Sequence, residues 1–301
     1  MATDRDDYDV FLDTWEPSKR LKYATLPSNL FDSIANQRLV EDSTGQADVE
    51  REAWAPGTKG MTDQEVRLRG SGFFEAHQPE WSADFRDRLI SEGLDPTKVD
   101  HFLRCFAEVW VDGLKDRQNS DAMMAIKASI RDHDIRYHPE TAGKFVINQV
   151  PSDIQPLFRP EEMKAIFRVN SNLLEVHIAL YHDHIHGEGE GSINREYVRR
   201  GVLMGHPGQV RRELQYLSSY SLAVTPVEQF SQTRASKTAA SDVPTIFSAP
   251  LPAVQTRVVA FAPHISGMSL GQLELVVAPP VQAQPLKDLE IHRGIHEFWF
   301  E

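Results

Sequence analysis

The chain reads as an α+β protein: a predominantly helical central domain with an extended N-terminal arm and a C-terminal segment rich in strands and proline. Three observations predict this. Apolar residues recur at three- and four-residue steps from Val99 to Leu114 and again from Met163 to Ile185, the period of an amphipathic helix. Two runs near the C-terminus, 256–262 and 272–278, are rich in β-formers and bounded by Gly and Pro. Residues 1–80 carry neither period.

That first zone is acidic and punctuated by Pro17, Pro27, Pro56 and Gly57, yet it holds Tyr8, Phe11, Trp15, Tyr23, Phe31 and Trp54. Large aromatics dominate contact energetics, so the zone is expected to be an arm whose rings dock at intervals. They dock on the chain's own core or on a neighbouring copy.

The second zone, 81–220, reads as helical. Ser82 can cap a short helix bearing Phe85, Leu89 and Ile90, with Gly93 as its stop. Asp95-Pro96 is a restart signal, an N-cap carboxylate followed by proline at the first helical position. Ser120 caps a helix carrying Met123, Ile126 and Ile130. Residues 144–150 suggest a short strand. The longest period runs from 160 to 187, with a break allowed near 170–172, and two short helices are expected at 196–204 and 209–217.

The third zone, 221–301, holds eight of the 18 prolines and ends Phe298-Trp299-Phe300-Glu301, an aromatic terminus expected to pack on something. The Ser/Thr/Ala-rich stretch 231–241 reads as a surface loop.

Composition narrows function. With 32 Lys and Arg against 44 acids the net charge is -12. That disfavours nucleic acid as a partner, because phosphate grip needs clustered cations. Arg199, Arg200, Arg211 and Arg212 form the one basic group, read as a solvated helix face. The single cysteine, Cys105, lies in an apolar pattern and cannot form an internal disulfide. No run approaches a membrane span and no secretory signal is visible, so the expected location is a reducing, cytoplasmic one.

Five of the 12 histidines fall between 177 and 206. On a helix, His182 and His186 share a face at i and i+4, and Glu175 lies seven before His182 on the same side. Two such histidines with a carboxylate are a minimal clip for zinc or iron, which His133, Asp134, Asp183 or His206 could complete. Histidines near a helix C-terminus also serve its exposed carbonyls without binding anything.

Two family resemblances bear on chemistry. His101, His133-Asp134 and Asp183 are similar in order and rough spacing to the metal-dependent phosphohydrolases named for a His-Asp signature. That resemblance implies metal ligands on helices, although Arg131-Asp132 stand where that family has apolar residues. Gln272-x-Glu274 resembles the catalytic pair of some ADP-ribosyl transferases. That family accompanies the pair with an arginine strand and a Ser-Thr-Ser strand, neither of which is recognisable in the sequence; a solvent-facing strand edge also accounts for the pair.

The leading expectation is a non-catalytic structural or assembly subunit, a coat- or particle-type protein forming a homo-oligomer through its terminal arms. The alternative is a metal-dependent hydrolase or oxygenase in which His182 and His186 hold the metal. Glu175 or Asp183 would then act as ligand or general base. A partner-binding protein using its acidic face is the third.

Overall fold

The structure, a computed structural model, describes residues 63–110, 120–134, 150–151, 153–186, 196–205, 207, 210–211, 217–222, 227, 242–271, 273–282, 284–292 and 295–300. Four longer helices precede a sheet, so the α+β class holds. The expected arm up to residue 62, the strand at 144–150 and the loop at 231–241 lie outside the described residues, apart from Val150.

Helix α1 spans Asp63–Ser91, well upstream of the expected start. Ser82 is therefore not a cap. It sits mid-helix, and its hydroxyl donates to the carbonyl of Pro79 at 3.2 Å. The expected stop is in place: Gly93 takes a φ of 90°, the left-handed geometry glycine reaches without strain.

Helix α2, Pro96–Arg104, starts as its sequence dictates. The Asp95 carboxylate accepts from the backbone N–H of Lys98 at 3.0 Å, with proline at the first helical position. It widens into a π-helical turn, Cys105–Trp110. Helix α3 is Asp121–Asp132 and α4 is Pro160–His186, the latter continuous through 170–172. Met163, Ile166, Phe167, Leu173, Leu174, Ile178 and Tyr181 form the buried stripe its spacing predicts.

The strands are β1 Tyr197–Met204, β2 Ser218–Ser221, β3 Val243–Pro250, β4 Val258–Phe261, β5 Glu274–Val277, β6 Lys287–His292 and β7 Ile295–Trp299. A short helix α5, Leu251–Gln255, joins β3 to β4, and a 3-10 turn, Ala262–His264, follows β4. They form one seven-stranded sheet in the order β4-β5-β2-β1-β3-β7-β6. Every neighbouring pair is antiparallel except β3 with β7.

Strand β1 corrects the helix expected at 196–204. Tyr197, Val198 and Val202 are β-formers and Gly201 costs a helix about 1 kcal/mol. Pairing with β3 along its whole length then decides the outcome. Of the arginines read as a helix face, Arg199 and Arg200 are thereby built into the centre of the sheet, Arg211 follows it outside any strand, and Arg212 lies outside the described residues. The strands expected at 256–262 and 272–278 are present as β4 and β5. Of the helix expected at 209–217, only Val210, Arg211 and Leu217 are described.

Two apolar clusters hold the layers together. In one, α2, α3 and parts of α1 and α4 meet Val259, Ala260 and Val276. In the other, Phe74, Trp81, Leu174, Ile178 and Tyr181 meet Val198, Tyr220, Phe247, Leu275, Val277, Phe298 and Phe300. The C-terminal rings Phe298 and Phe300 are thus buried in their own chain, at 1% and 2% exposure.

Candidate functional site

The helix carrying the histidine-rich stretch forms as expected, but its side chains scatter. Glu175 is exposed, whereas His182 is 1% exposed and its Nε2 lies 2.7 Å from Glu196 Oε1 at the start of β1. Asp183 is half-buried, and the exposed His184 lies against Phe73 with its ring tilted by 32°, 4.8 Å between ring centres. His133 bonds through Nδ1 to the carbonyl of Ile130 and lies against Phe167. Asp134 follows it in the turn after α3, and His101 approaches Cys105 Sγ at 3.6 Å. The side chain of His186 and all of His206 lie outside the described residues. Among the described residues, no three His, Cys, Asp or Glu side chains gather as metal ligands would.

His177 takes a different path. Its Nδ1 lies 2.9 Å from His264 Nε2, and His264 Nδ1 lies 3.1 Å from Asn170 Oδ1, whose amide donates to the carbonyl of Val259 at 2.7 Å. Trp81 stacks on His177 at 3.8 Å with the rings nearly parallel. Burial holds His177 down to about 4, against 6.5 in water, and pushes His264 well below its usual value. Both rings are therefore neutral at pH 7 and share hydrogens as a buried bolt between α4 and the turn after β4.

A second constellation involves Glu274, the carboxylate of the Gln-x-Glu pair. Cross-strand partners share a face of the sheet. Glu274 on β5 pairs Ser221 on β2, Ser221 pairs Arg199 on β1, and Arg199 pairs Ser248 on β3. Ser248 in turn donates to Glu297 Oε1 on β7 at 2.7 Å. A row of polar side chains therefore crosses five strands, with Ser219 two residues along β2 on the same face. In a half-buried sheet, a row of this kind carries desolvation costs that an apolar row would not.

The end of the row at Glu274 is the most tightly arranged. Trp110 donates from Nε1 to Glu274 Oε1 at 2.9 Å and to Ser219 Oγ at 3.1 Å. The guanidinium of Arg200 donates through Nη1 to the Ser219 carbonyl at 2.8 Å. Leu273, immediately before Glu274, has a φ of 44°, the one non-glycine residue in the left-handed region among the described residues. A buried leucine held there costs about 1–3 kcal/mol, strain that clusters at functional sites.

Burial raises the Glu274 carboxyl above its ordinary range. Hydrogen bonds from Ser219 and Trp110 and the positive charge of Arg200 oppose that rise. Glu297 is likewise pushed up by burial and drawn back by the Arg199 charge and the Ser248 hydroxyl. The sheet thus holds two acids of perturbed affinity for protons, each under the positive charge of an arginine, a pattern frequent where charge develops during a reaction. Such a carboxylate can stabilise a cationic carbon, while the guanidinium can hold an anionic group beside it.

Gln272, the partner of Glu274 in the motif, lies outside the described residues. Arg200, Ser219 and Trp110 escaped the sequence reading. The signals were present: Arg200-Gly201 between the β-formers Val198 and Val202, and Ser219-Tyr220-Ser221 alternating at the period of a strand. Trp110 had no local signal, since 164 residues separate it from Glu274.

No protein-family model matches this chain, and no curated protein or solved structure is similar enough to match it.

Proposed function

We propose that the chain is an ADP-ribosyl transferase, cleaving the bond between nicotinamide and ribose in NAD and passing ADP-ribose to a nucleophile. One observation carries the reading: an arginine, a Ser-x-Ser strand and the glutamate of a Gln-x-Glu pair meet on the neighbouring strands β1, β2 and β5. These are the elements that accompany one another in the family which Gln272-x-Glu274 resembles. Residue by residue, Arg200 stands for the arginine, Ser219-Tyr220-Ser221 for Ser-Thr-Ser and Glu274 for the acid. Tyr220 departs from the threonine, so the role of the middle position does not carry over.

The chemistry fits these groups. In NAD the nicotinamide leaves with the bonding pair, and positive charge develops on the ribose ring. A carboxylate at that point stabilises the oxocarbenium-like transition state, as in glycoside hydrolysis. Glu274 supplies it, and Ser219 orients it. Arg200 offers a guanidinium to the pyrophosphate, while the neighbouring Arg199 serves Glu297. The acceptor then forms the new bond to the ribose carbon and gives up a proton; no redox step is required.

Incubation with NAD labelled on its adenine half, with and without a mixture of cellular proteins, tests the proposal. Label retained on protein after denaturing electrophoresis, and lost in Glu274→Gln, supports it. Absence of both label transfer and NAD loss under all acceptor conditions counts against it. Assembly through the aromatic arm remains a separate proposal resting on residues 1–62. The burial of Phe298 and Phe300 at home removes the C-terminal half of its motive.

A further inference from the structure

We propose that Trp110 is a positioning residue for Glu274: its indole N–H, delivered by the π-helical turn, orients the carboxylate and stabilises its negative charge. The inference rests on the transferase reading above and adds a residue that no motif supplies. Indole nitrogen is a donor only, so the 2.9 Å contact with Glu274 Oε1 has a single sense. The same hydrogen is shared with Ser219 Oγ at 3.1 Å, and the Ser219 hydroxyl also bonds to Glu274. Trp110, Ser219 and Glu274 therefore form a closed triangle in which both donors point at the acid.

The route by which the ring arrives supports a specific role. Helix α2 leaves its α geometry at Cys105 and runs as a π-helical turn to Trp110. Such a turn is rare and costly, and it is found disproportionately at functional sites because it changes the face on which a side chain emerges. Here the altered turn brings a large ring, 4% exposed, onto the carboxylate of a strand far away in sequence. Buried as it is, the ring also excludes water from that side of Glu274, which strengthens each remaining electrostatic contact. The cationic group nearest in effect is Arg200, which favours the same ionised state of the acid.

Trp110→Phe keeps the ring and deletes the donor. Losing one hydrogen bond to the charged form should move the acidic limb of the kcat/KM profile for NAD cleavage up by about one pH unit. The loss of activity is accordingly larger at pH 5.5 than at pH 8, and it falls on kcat more than on KM. A folded Trp110→Phe whose pH profile matches the parent overturns the inference, even if Glu274→Gln is inactive. If Glu274→Gln cleaves NAD like the parent, the transferase reading fails and the inference falls with it. A second measurement needs no tryptophan variant: the indole N–H signals of the five tryptophans are followed through an acid titration. One signal that titrates in the parent and ceases to do so in Glu274→Gln supports the contact; no signal with that dependence overturns it.

Discussion

Arg200 on β1 donates through Nη1 to the backbone carbonyl of Ser219 on β2, 2.8 Å away. The strand that carries the cation thereby fixes the main chain of the serine that bonds Glu274. Lysine offers a point charge on a flexible stem and cannot reproduce the planar fork. Arg200→Lys is expected to lower kcat/KM for NAD cleavage at least about tenfold, equivalent to ~1.4 kcal/mol of transition-state stabilisation. Steady-state kinetics beside a melting curve check this. Parental kinetics in Arg200→Lys would show that charge alone suffices.

The His177–His264 bolt makes stability depend on pH. Asp84 raises the proton affinity of His177, while Arg88 and His77 lower it and burial lowers it most. Its folded value, about 4, lies below the 6.5 of the unfolded chain, so the unfolded state binds more protons between those values. The resulting stability is fully present above pH 6.5 and is lost as pH falls toward 4. For His177 alone the loss amounts to about 3 kcal/mol, and His264 adds in the same direction. Urea midpoints measured from pH 7.5 to 4.5 should fall steeply in the parent and less in His177→Gln. Equal slopes in the two proteins contradict this.

Gln78 on α1 aims its amide at three carbonyls, those of Ala262, Ile265 and Met268, all within 3.1 Å. Two hydrogens serve three acceptors, so they are shared. Gln78→Leu leaves these carbonyls without that donor and should cost roughly 1–3 kcal/mol. The measurement is the denaturation midpoint, and the turn's position upstream of Leu273 predicts that NAD cleavage drops as well. A midpoint unchanged from the parent is the contrary result.

His182 and Glu196 form a buried pair at 2.7 Å, with side-chain exposures of 2% and 0%. Removing one partner of such a pair is expensive, on the order of 3–5 kcal/mol where the partner left behind stays charged. His182→Ala is expected to lose several degrees of melting temperature. If His182 serves a metal instead, its removal lowers the metal content of protein purified without chelator. Elemental analysis of both proteins separates the two outcomes.

The helical half of this fold was legible because its signals are local. Asp95-Pro96 caps a helix by geometry alone, and the Met163–Tyr181 stripe needs only a period of 3.6. The sheet was half legible. Residues 256–262 and 272–278 announce strands, but 196–204 also suits a helix until β2 and β3 flank it. Those partners are non-local, so propensity could not weigh them. The site suffered from the same blindness. Glu274 carries a motif resemblance that a solvent-facing strand edge also explains, while Arg200 reads as part of a helix face and Ser219 belongs to no motif. Without β1 beside β2 their relation to Glu274 has no expression in sequence. The histidine-rich stretch is only half legible for the converse reason: spacing puts residues on one face but does not say what faces them. Glu196, at the start of β1, meets His182.

The most direct test of the central claim is release of free nicotinamide from NAD, followed by chromatography, for the parent protein and for Glu274→Gln. The parent should liberate nicotinamide in amounts that grow with time and enzyme. The glutamine variant, isosteric but without charge to meet the developing cation, should fall at least about a hundredfold while melting like the parent. Nicotinamide release at the same rate from both proteins, or from neither, would contradict a transferase centred on Glu274.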